Sequence, residues 1–233
     1  MTTASRTPTV IAIDGPAGSG KSTVARRLAA ALDADWAYLD SGAMYRAVTV
    51  LALERQVPLD DVEALVGLAR GVRIELSREG VVTVDGRDVS EEIRTERTNV
   101  SVGRVAEHAA VGAVMVAHQR RFAERLGRVV ADGRDMATVV FPDAVAKVYL
   151  TASLEERARR RFEEMRAKDP SATLDAVRRS IERRDRDDQE RATGRLYQHA
   201  DAVRVDTTGL SPAEVLAVLR DLVLSRVPPV AGR

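Results

Sequence analysis

The sequence predicts an α/β fold in which helices cover both faces of a central parallel sheet. Short apolar runs alternate with amphipathic segments along most of the chain, which is typical of a parallel sheet. The first apolar run, at 10–13, ends in a glycine-rich loop, and Val24, Leu28 and Leu32 then follow at helical spacing. Between 72 and 84 the apolar residues alternate instead, which predicts a small antiparallel sheet inserted between helices.

Capping residues and changes of period define the elements of the first half of the chain. The second strand is predicted at 36–39, where Asp40 and Ser41 then supply helix-capping side chains. Pro58, followed by acidic residues, is typical of a helix start. The predicted helices lie over 23–32, 43–50 and 58–70. Turn pairs at 79–80 and 85–86 separate the alternating residues of the inserted sheet, which are Val72, Ile74, Leu76, Val82 and Val84.

The second half returns to alternating helices and strands. Helical spacing predicts helices over 90–125, 151–167 and 173–190. Gly103 and Gly112 weaken the first of these by about 1 kcal/mol each relative to alanine, so a break is expected near 108–111. Apolar runs predict strands at 128–131, 144–150 and 202–205. Ser211 and Pro212 then begin a closing helix, because proline is favoured at the first helical position.

Composition excludes several classes of protein. The net charge of +1 over 233 residues provides no general basic field for nucleic acid. The absence of cysteine excludes disulfides, thiolate metal sites and a cysteine nucleophile. No apolar run approaches the roughly 20 residues of a membrane helix, and residues 1–9 lack the apolar segment of a secretory signal. We expect a cytoplasmic monomer without nucleic-acid or membrane partners, with a flexible leader at 1–9 and a flexible tail at 227–233.

The loop after the first strand carries the phosphate-binding motif G-x-x-x-x-G-K-[ST]. Gly15, Gly20, Lys21 and Ser22 occupy its defined positions. Glycines allow successive backbone N–H groups to face an anion, and the following helix adds its unpaired N–H groups. Lys21 reaches the β- and γ-phosphates in such loops, while the hydroxyl at the Ser22 position binds Mg²⁺. The residues 15–22, called the phosphate loop below, therefore predict a nucleoside-triphosphate site.

Two classes of protein remain open on this motif, a switch GTPase and a kinase of a small molecule. The guanine-reading tetrapeptide Asn-Lys-x-Asp does not occur, which favours the kinase. A kinase also needs cations for a second phosphate, and Arg46, Arg134 and the arginines of 178–195 are candidates. Each has a plainer interpretation: Arg46 as a solvated surface residue, 132–135 as a loop held by an Asp–Arg pair, and 183–191 as a self-paired helix face.

The three histidines share no metal-ligand spacing, and we interpret them as structural or surface residues. They are His108, His118 and His199.

Eight segments form a longer and more specific pattern than the phosphate loop. They lie at 13–22, 39–46, 84–86, 88–90, 92–95, 131–136, 138–144 and 183–188. Together they resemble the bacterial cytidylate kinases, which are P-loop nucleoside-monophosphate kinases, over about 11–211 of the chain. The resemblance implies a P-loop three-layer α/β/α core, a substrate module and a short helical lid. The implied core covers 10–60, 101–155 and 196–226, the nucleoside-monophosphate insert 61–100 and the lid 156–195.

The resemblance also implies an activity, ATP-dependent phosphorylation of CMP or dCMP with Mg²⁺ in pyrimidine nucleotide metabolism. The acceptor phosphate oxygen attacks directly, so no protein nucleophile is expected. The implied catalytic residues are Lys21, Arg134, Arg184 and Arg191. The implied ATP-binding residues are Gly15, Pro16, Ala17, Gly18, Ser19, Gly20, Lys21, Ser22 and Thr23, with Ser22 also binding the metal. The implied CMP-binding residues are Ser41, Tyr45, Arg46, Asp132, Arg134, Asp135, Arg184, Asp188 and Arg191.

Individual roles follow from the same resemblance. Arg46 and Arg134 would hold the acceptor α-phosphate, and Arg191 would swing toward the transferred group. The cytosine edge would meet Ser41 and Asp135. The ribose would contact Arg184 and Asp188.

Four positions depart from the family pattern. Gly103 and Gly112 stand where the family usually has a serine and an arginine near the base, Ala137 where glycine is usual, and Arg195 where proline is usual. Losing hydrogen bonds to charged groups costs about 1.5–3 kcal/mol each. We therefore expect a working kinase with a relaxed or weaker preference for cytosine. Two nearby residues are candidates to compensate, Arg104 and His108. The alternatives are a P-loop kinase of another acceptor and a nucleotide-binding protein that has lost catalysis.

Overall fold

Two sheets organise the chain, a five-stranded parallel sheet and a three-stranded antiparallel one. A computed structural model describes residues 7–33, 35–77, 80–167 and 169–227. The strands are β1 (Thr9–Asp14), β2 (Ala37–Asp40), β3 (Ile74–Leu76), β4 (Val82–Val84), β5 (Arg87–Asp88), β6 (Arg128–Gly133), β7 (Ala146–Thr151) and β8 (Val203–Asp206). The large sheet has the order β2-β6-β1-β7-β8, with every pair parallel. This order confirms the predicted parallel sheet.

Helices cover both faces of the large sheet. They are α1 (Lys21–Leu32), α2 (Ser41–Glu54), α3 (Val62–Gly71), α4 (Glu96–Ala106), α5 (Ala109–Leu126), α6 (Leu154–Arg166), α7 (Leu174–Glu190) and α8 (Pro212–Leu224). Ile11 and Ile13 of β1 pack with α1 and α8, whereas Val10 and Ala12 pack with α2, α3 and α5. Because both faces of β1 are buried, its sequence is a continuous apolar run.

The small sheet has the order β3-β4-β5 and is antiparallel, which confirms the predicted antiparallel sheet. Ile74 pairs with Val84 and Leu76 with Val82, so the alternating residues share one buried face. The two-residue strand β5 was not predicted, because a strand this short has no recognisable period.

Several helices begin away from their predicted positions, and capping side chains account for two of the differences. The carboxylate of Asp61 accepts the Ala64 N–H, so α3 begins at Val62 and not at Pro58. Ser153 caps α6 in the same way, and that helix begins at Leu154. The first helix begins earlier than predicted, at Lys21 within the phosphate loop.

The segment predicted as one broken helix at 90–125 contains three pieces. A short 3₁₀ helix at Glu92–Arg94 precedes α4, and α4 and α5 separate at 107–108, close to the predicted break. Among the described residues no single helix is long and apolar enough to span a membrane, although α4 and α5 together, bent by 104°, would pass that test.

Residues 1–6 of the predicted leader and 228–233 of the predicted tail lie outside the described residues. Glu79 of one predicted turn pair lies outside them as well. Thr9, which we had assigned to the leader, instead pairs with Arg128 at the start of β1. Val227, which we had assigned to the tail, donates its backbone N–H to the Val223 carbonyl at 2.8 Å. Both residues therefore belong to the folded chain.

Candidate active site

The phosphate loop connects β1 to α1 and encloses a buried cation. Gly15 has φ +152°, and a Cβ there would collide with the Leu150 carbonyl oxygen of β7, so only glycine fits. The Lys21 ammonium is buried and donates to the Pro16 carbonyl at 2.8 Å. Burial, followed by the nearby charge of Arg134, holds the pKa of Lys21 well below its ordinary value. The loop therefore holds a cation whose charge is poorly compensated by the protein.

Three oxygen-bearing side chains meet beside this loop. Ser22 Oγ donates to Asp132 Oδ2 at 2.8 Å, and the Tyr38 hydroxyl donates to Asp132 Oδ1 at 2.6 Å. Burial, followed by the charge of Asp40, raises the pKa of Asp132 to about 6. Hydroxyl and carboxylate oxygens are the ligands that Mg²⁺ prefers, so Ser22 and Asp132 fit such an ion. The resemblance implies that Asp132 binds CMP, and its carboxylate contacts Ser22 of the phosphate loop.

Three arginines act on one buried carboxylate, and a fourth, Arg46, lies near Arg184 with its Nη2 3.5 Å from Asp40 Oδ2. We call Arg46, Arg134, Arg184 and Arg191 the arginine cluster. Asp188, only 2% exposed, accepts Arg134 Nε at 2.5 Å and Arg191 Nη2 at 3.0 Å. Burial would raise the pKa of Asp188, but the charges of Arg134 and Arg191 hold it below its ordinary value.

The arginine cluster carries more positive charge than its protein partners neutralise. Burial is the largest cause that lowers the pKa of Arg184, to about 10, and the positive charge of Arg134 is the next. The charges of Arg46 and Arg191 lower this pKa further. Arg191 Nε is buried and has no hydrogen-bond partner among the described residues. A bound phosphate would reduce the repulsion among these guanidinium groups. It would also accept a hydrogen bond from the unpartnered Arg191 Nε.

A third group of side chains borders the arginine cluster. Ser41 Oγ donates to the Asp132 carbonyl at 2.8 Å. Burial raises the pKa of Asp135. Gly194 lies in the segment after α7 and has φ +62°, and a Cβ there would lie 3.0 Å from Asp135 Oδ2. Burial also raises the pKa of Tyr45. These side chains are partly enclosed by the segment that follows α7.

The two glycines that depart from the family pattern lie in different surroundings. A Cβ at Gly112 would lie 3.7 Å from the Tyr45 hydroxyl, whereas a Cβ at Gly103 would meet no described atom within 4 Å. His108, proposed as a compensating residue, places Nε2 2.7 Å from the Leu59 carbonyl, while Arg104 is exposed. Gly112 is therefore the departure that adjoins the predicted acceptor site, and His108 already has a protein partner.

Two residues of this region make contacts that the sequence does not predict, and they are Asp14 and Arg157. Asp14 accepts the backbone N–H groups of Met136 and Ala137, and its position at the end of a buried strand was an available signal. Arg157 donates from Nη1 to the Ala17 carbonyl at 3.1 Å and to Asp185 Oδ2 at 2.5 Å, which links the phosphate loop to α7. No pattern distinguished Arg157 from the other arginines of α6.

The predicted site residues converge at one edge of the large sheet. Lys21 and Ser22 follow the carboxyl end of β1, Ser41 follows β2, and Arg134 and Asp135 follow β6. The remaining predicted acceptor residues come from α2 and from α7 with the residue after it, and they are Tyr45, Arg46, Arg184, Asp188 and Arg191. Ligands bind at this edge in open parallel sheets. The ligand assigned to each residue stays a prediction.

Comparison with known proteins gives consistent results. The family model described as cytidylate kinase matches residues 11–224. A cytidylate kinase of Geobacillus kaustophilus is 48% identical over 220 residues, covering 93% of this chain and 97% of the relative. One of Burkholderia pseudomallei is 46% identical, covering 91% and 93%. A crystal structure of TT1252 from Thermus thermophilus has a TM-score of 0.51 at 20% identity, covering 95% of this chain and 99% of the other, and it supports the fold alone.

Proposed function

The chain belongs to the cytidylate kinase family, and on this basis we propose that its site transfers the terminal phosphoryl group of ATP to CMP or dCMP. The products are ADP and CDP or dCDP. The observation that carries the proposal is one sheet edge where the phosphate loop faces the arginine cluster, two cationic sites for two phosphorylated substrates. Nothing observed favours another acceptor class or a protein without catalysis.

The donor half of the site is residues 15–23. Backbone N–H groups of the loop and of the start of α1 bind the ATP phosphates, and Lys21 leaves the Pro16 carbonyl to reach them. Mg²⁺ is the proposed metal, and Ser22 with Asp132 would hold it. When bound, this ion neutralises charge that builds up on the transferred phosphoryl group.

The acceptor half begins with the arginine cluster. Arg134 uses Nε for Asp188, and its Nη2, with Nη1 once it leaves the 3.5 Å contact to the Gly133 carbonyl, binds the acceptor phosphate alongside Arg46. Arg184 and Asp188 bind the ribose, and Arg191 turns its unpartnered Nε toward the transferred group. The cytosine lies against Tyr45, and its polar edge meets Ser41 and Asp135.

Catalysis by this site consists mainly of alignment and exclusion of water. No protein nucleophile is needed, because an acceptor phosphate oxygen attacks the γ-phosphorus and ADP leaves. Holding both substrates in line supplies about 7–11 kcal/mol of the barrier. The segment after α7, which brings Gly194 close to Asp135, covers the acceptor half and keeps water from the phosphoryl group.

An ADP-release assay with different acceptors tests the function. With Mg²⁺ and ATP, we expect CMP and dCMP to raise the rate of ADP formation at least about 100-fold over ATP alone. UMP and AMP serve as comparison acceptors. Equal ADP formation with and without CMP would make the chain an ATPase and contradict the proposal.

The variant Gly112→Arg extends this assay to base preference. The new guanidinium would enter the space beside Tyr45, and a hydrogen bond to the base at about 1.5–3 kcal/mol corresponds to a rise of roughly tenfold or more in the CMP-to-UMP ratio of kcat/KM. Gly103→Ala is the control, because a Cβ at this position would meet no described atom within 4 Å. If Gly112→Arg has the same CMP-to-UMP ratio as the wild type, position 112 has no role in base recognition.

We further propose that the protein acts as a cytoplasmic monomer in pyrimidine nucleotide metabolism. The support for the monomer is that one chain supplies both halves of the site. The support for the metabolic role is the CDP or dCDP that the proposed reaction forms.

A further inference from the structure

Asp14 is a buried carboxylate with a specific pair of partners. Its Oδ1 accepts the Met136 N–H and its Oδ2 accepts the Ala137 N–H, both at 2.8 Å. The side chain belongs to the last residue of β1 and is 2% exposed. Each carboxylate oxygen therefore holds one backbone donor, and an uncharged isostere cannot reproduce the pair.

The two donors begin an unusual turn that the sequence did not predict. Met136–Val140 form one turn of π-helix, in which the Phe141 N–H donates to the Met136 carbonyl at 2.7 Å. The first N–H groups of such a turn have no partner within it, so buried groups at this position need an outside acceptor. Asp14 is that acceptor.

Asp14 thereby joins the two halves of the site. It precedes Gly15 of the phosphate loop directly, and Met136 follows Arg134 and Asp135 directly. We call 133–137 the acceptor loop. The parallel pairing of β1 with β6 ends at Asp14 and Gly133, so beyond it the carboxylate supplies the next connection between the loops.

We propose that Asp14 is a positioning residue that sets the distance between the phosphate loop and the acceptor loop, and so between the donor and acceptor phosphates. The inference rests on the proposed function. A carboxylate that merely satisfied two buried N–H groups would affect stability alone. A positioning residue also affects the binding of CMP through Arg134, and this difference can be measured.

The test is a double-mutant cycle on CMP affinity, measured by titration calorimetry without turnover. The variants are Asp14→Asn, Arg134→Ala and their combination, with the affinity for a fluorescent ATP analogue and kcat measured in parallel. Asp14→Asn places an amide N–H against a backbone N–H, so we expect CMP affinity to fall about tenfold and kcat about 100-fold. The affinity for the ATP analogue should change less than about threefold. In the Arg134→Ala background, Asp14→Asn should change CMP affinity less than twofold.

Two further variants separate positioning from loss of stability. Val223→Ala removes buried methyl groups from α8, far from the site, and should lower Tm by several degrees with unchanged kcat and CMP affinity. Asp14→Glu retains both acceptor oxygens on a longer side chain, and it should fold yet still weaken CMP binding. This variant keeps the inference testable if Asp14→Asn fails to fold.

Two results would overturn the inference. One is that Asp14→Asn lowers CMP affinity equally in the wild-type and Arg134→Ala backgrounds. The other is that Asp14→Asn, like Val223→Ala, lowers Tm with unchanged kcat and CMP affinity. A wild-type protein that binds CMP with the expected coupling but forms no CDP would contradict the proposed function while supporting the role of Asp14.

Discussion

Replacing Arg134 by alanine is expected to lower kcat/KM for CMP by about 10³-fold or more. Arg134 lies at the carboxyl end of β6, where Nε donates to Asp188 and Nη1 makes a long 3.5 Å contact to the Gly133 carbonyl. Its Nη2, joined by Nη1 when that long contact is released, can meet a phosphate. Alignment of the reacting groups supplies about 7–11 kcal/mol of the barrier, and losing about 4 kcal/mol of it with the acceptor phosphate misplaced corresponds to about 10³-fold. The same loss is expected with dCMP and UMP, because the three acceptors share the phosphate and differ elsewhere. The measurement is steady-state ADP release with each acceptor.

A stability effect of the same substitution must be separated from the catalytic one. Asp188 is 2% exposed, and among the described residues Arg191 is the ion-pair partner that it keeps when Arg134 is removed. Because Arg184 and Arg191 still act on this carboxylate, the Tm of Arg134→Ala should fall by only a few degrees, and CMP turnover is measured well below that Tm. Arg134→Lys restores the charge without the fork and should recover only part of the rate. CMP turnover by Arg134→Ala within threefold of wild type would contradict the phosphate assignment.

Replacing Lys21 by methionine is expected to abolish most turnover while leaving the ligand-free protein at least as stable. The Lys21 charge is buried, and burial lowers its pKa, so the folded state without nucleotide is better off without that charge. In the transition state the negative charge of the β- and γ-phosphates compensates the Lys21 charge. Loss of this interaction should reduce kcat about 10³-fold. The stability and activity effects of one substitution therefore differ in sign.

Thermal unfolding with and without ATP measures both parts of the Lys21 prediction. Saturation at 100 times the dissociation constant stabilises a protein by about 2.7 kcal/mol, or roughly 5–10 °C for a chain of this size. The wild type should show this shift, and Lys21→Met should show a smaller one from an equal or higher starting Tm. A ligand-free Tm lowered by more than about 5 °C would mean that the bond to the Pro16 carbonyl outweighs the buried charge.

The sequence predicts most of this fold because the pattern and the motifs are local. The continuous apolar run of β1 predicts a strand buried on both faces, and helix spacing predicts α1 behind the loop. Boundaries were less predictable because they depend on which side chain caps a helix, as with Asp61 for α3. The turn at Met136–Val140 could not be predicted, since its stability comes from Asp14, 122 positions away in the chain.

The same distinction applies to the site. The phosphate loop could be read from consecutive residues. The need for cations at a second phosphate indicated Arg46, Arg134 and the arginines of 178–195, and resemblance to a family supplied their individual roles. The carboxylate of Asp132 lies beside Ser22 because β1 and β6 are neighbours, and no local pattern encodes that proximity. Arg157 gave no signal either, because its role depends on two contacts from distant segments.

The central claim is that the phosphate loop and the arginine cluster are the two halves of one site. A molecule that joins adenosine to cytidine through five phosphates tests it most directly, by competition against ATP and against CMP. Linking the two ligands should raise affinity at least about 100-fold over ATP alone, and the compound should compete with both substrates. A compound that binds no more tightly than ATP, and leaves CMP binding unaffected, would contradict the claim.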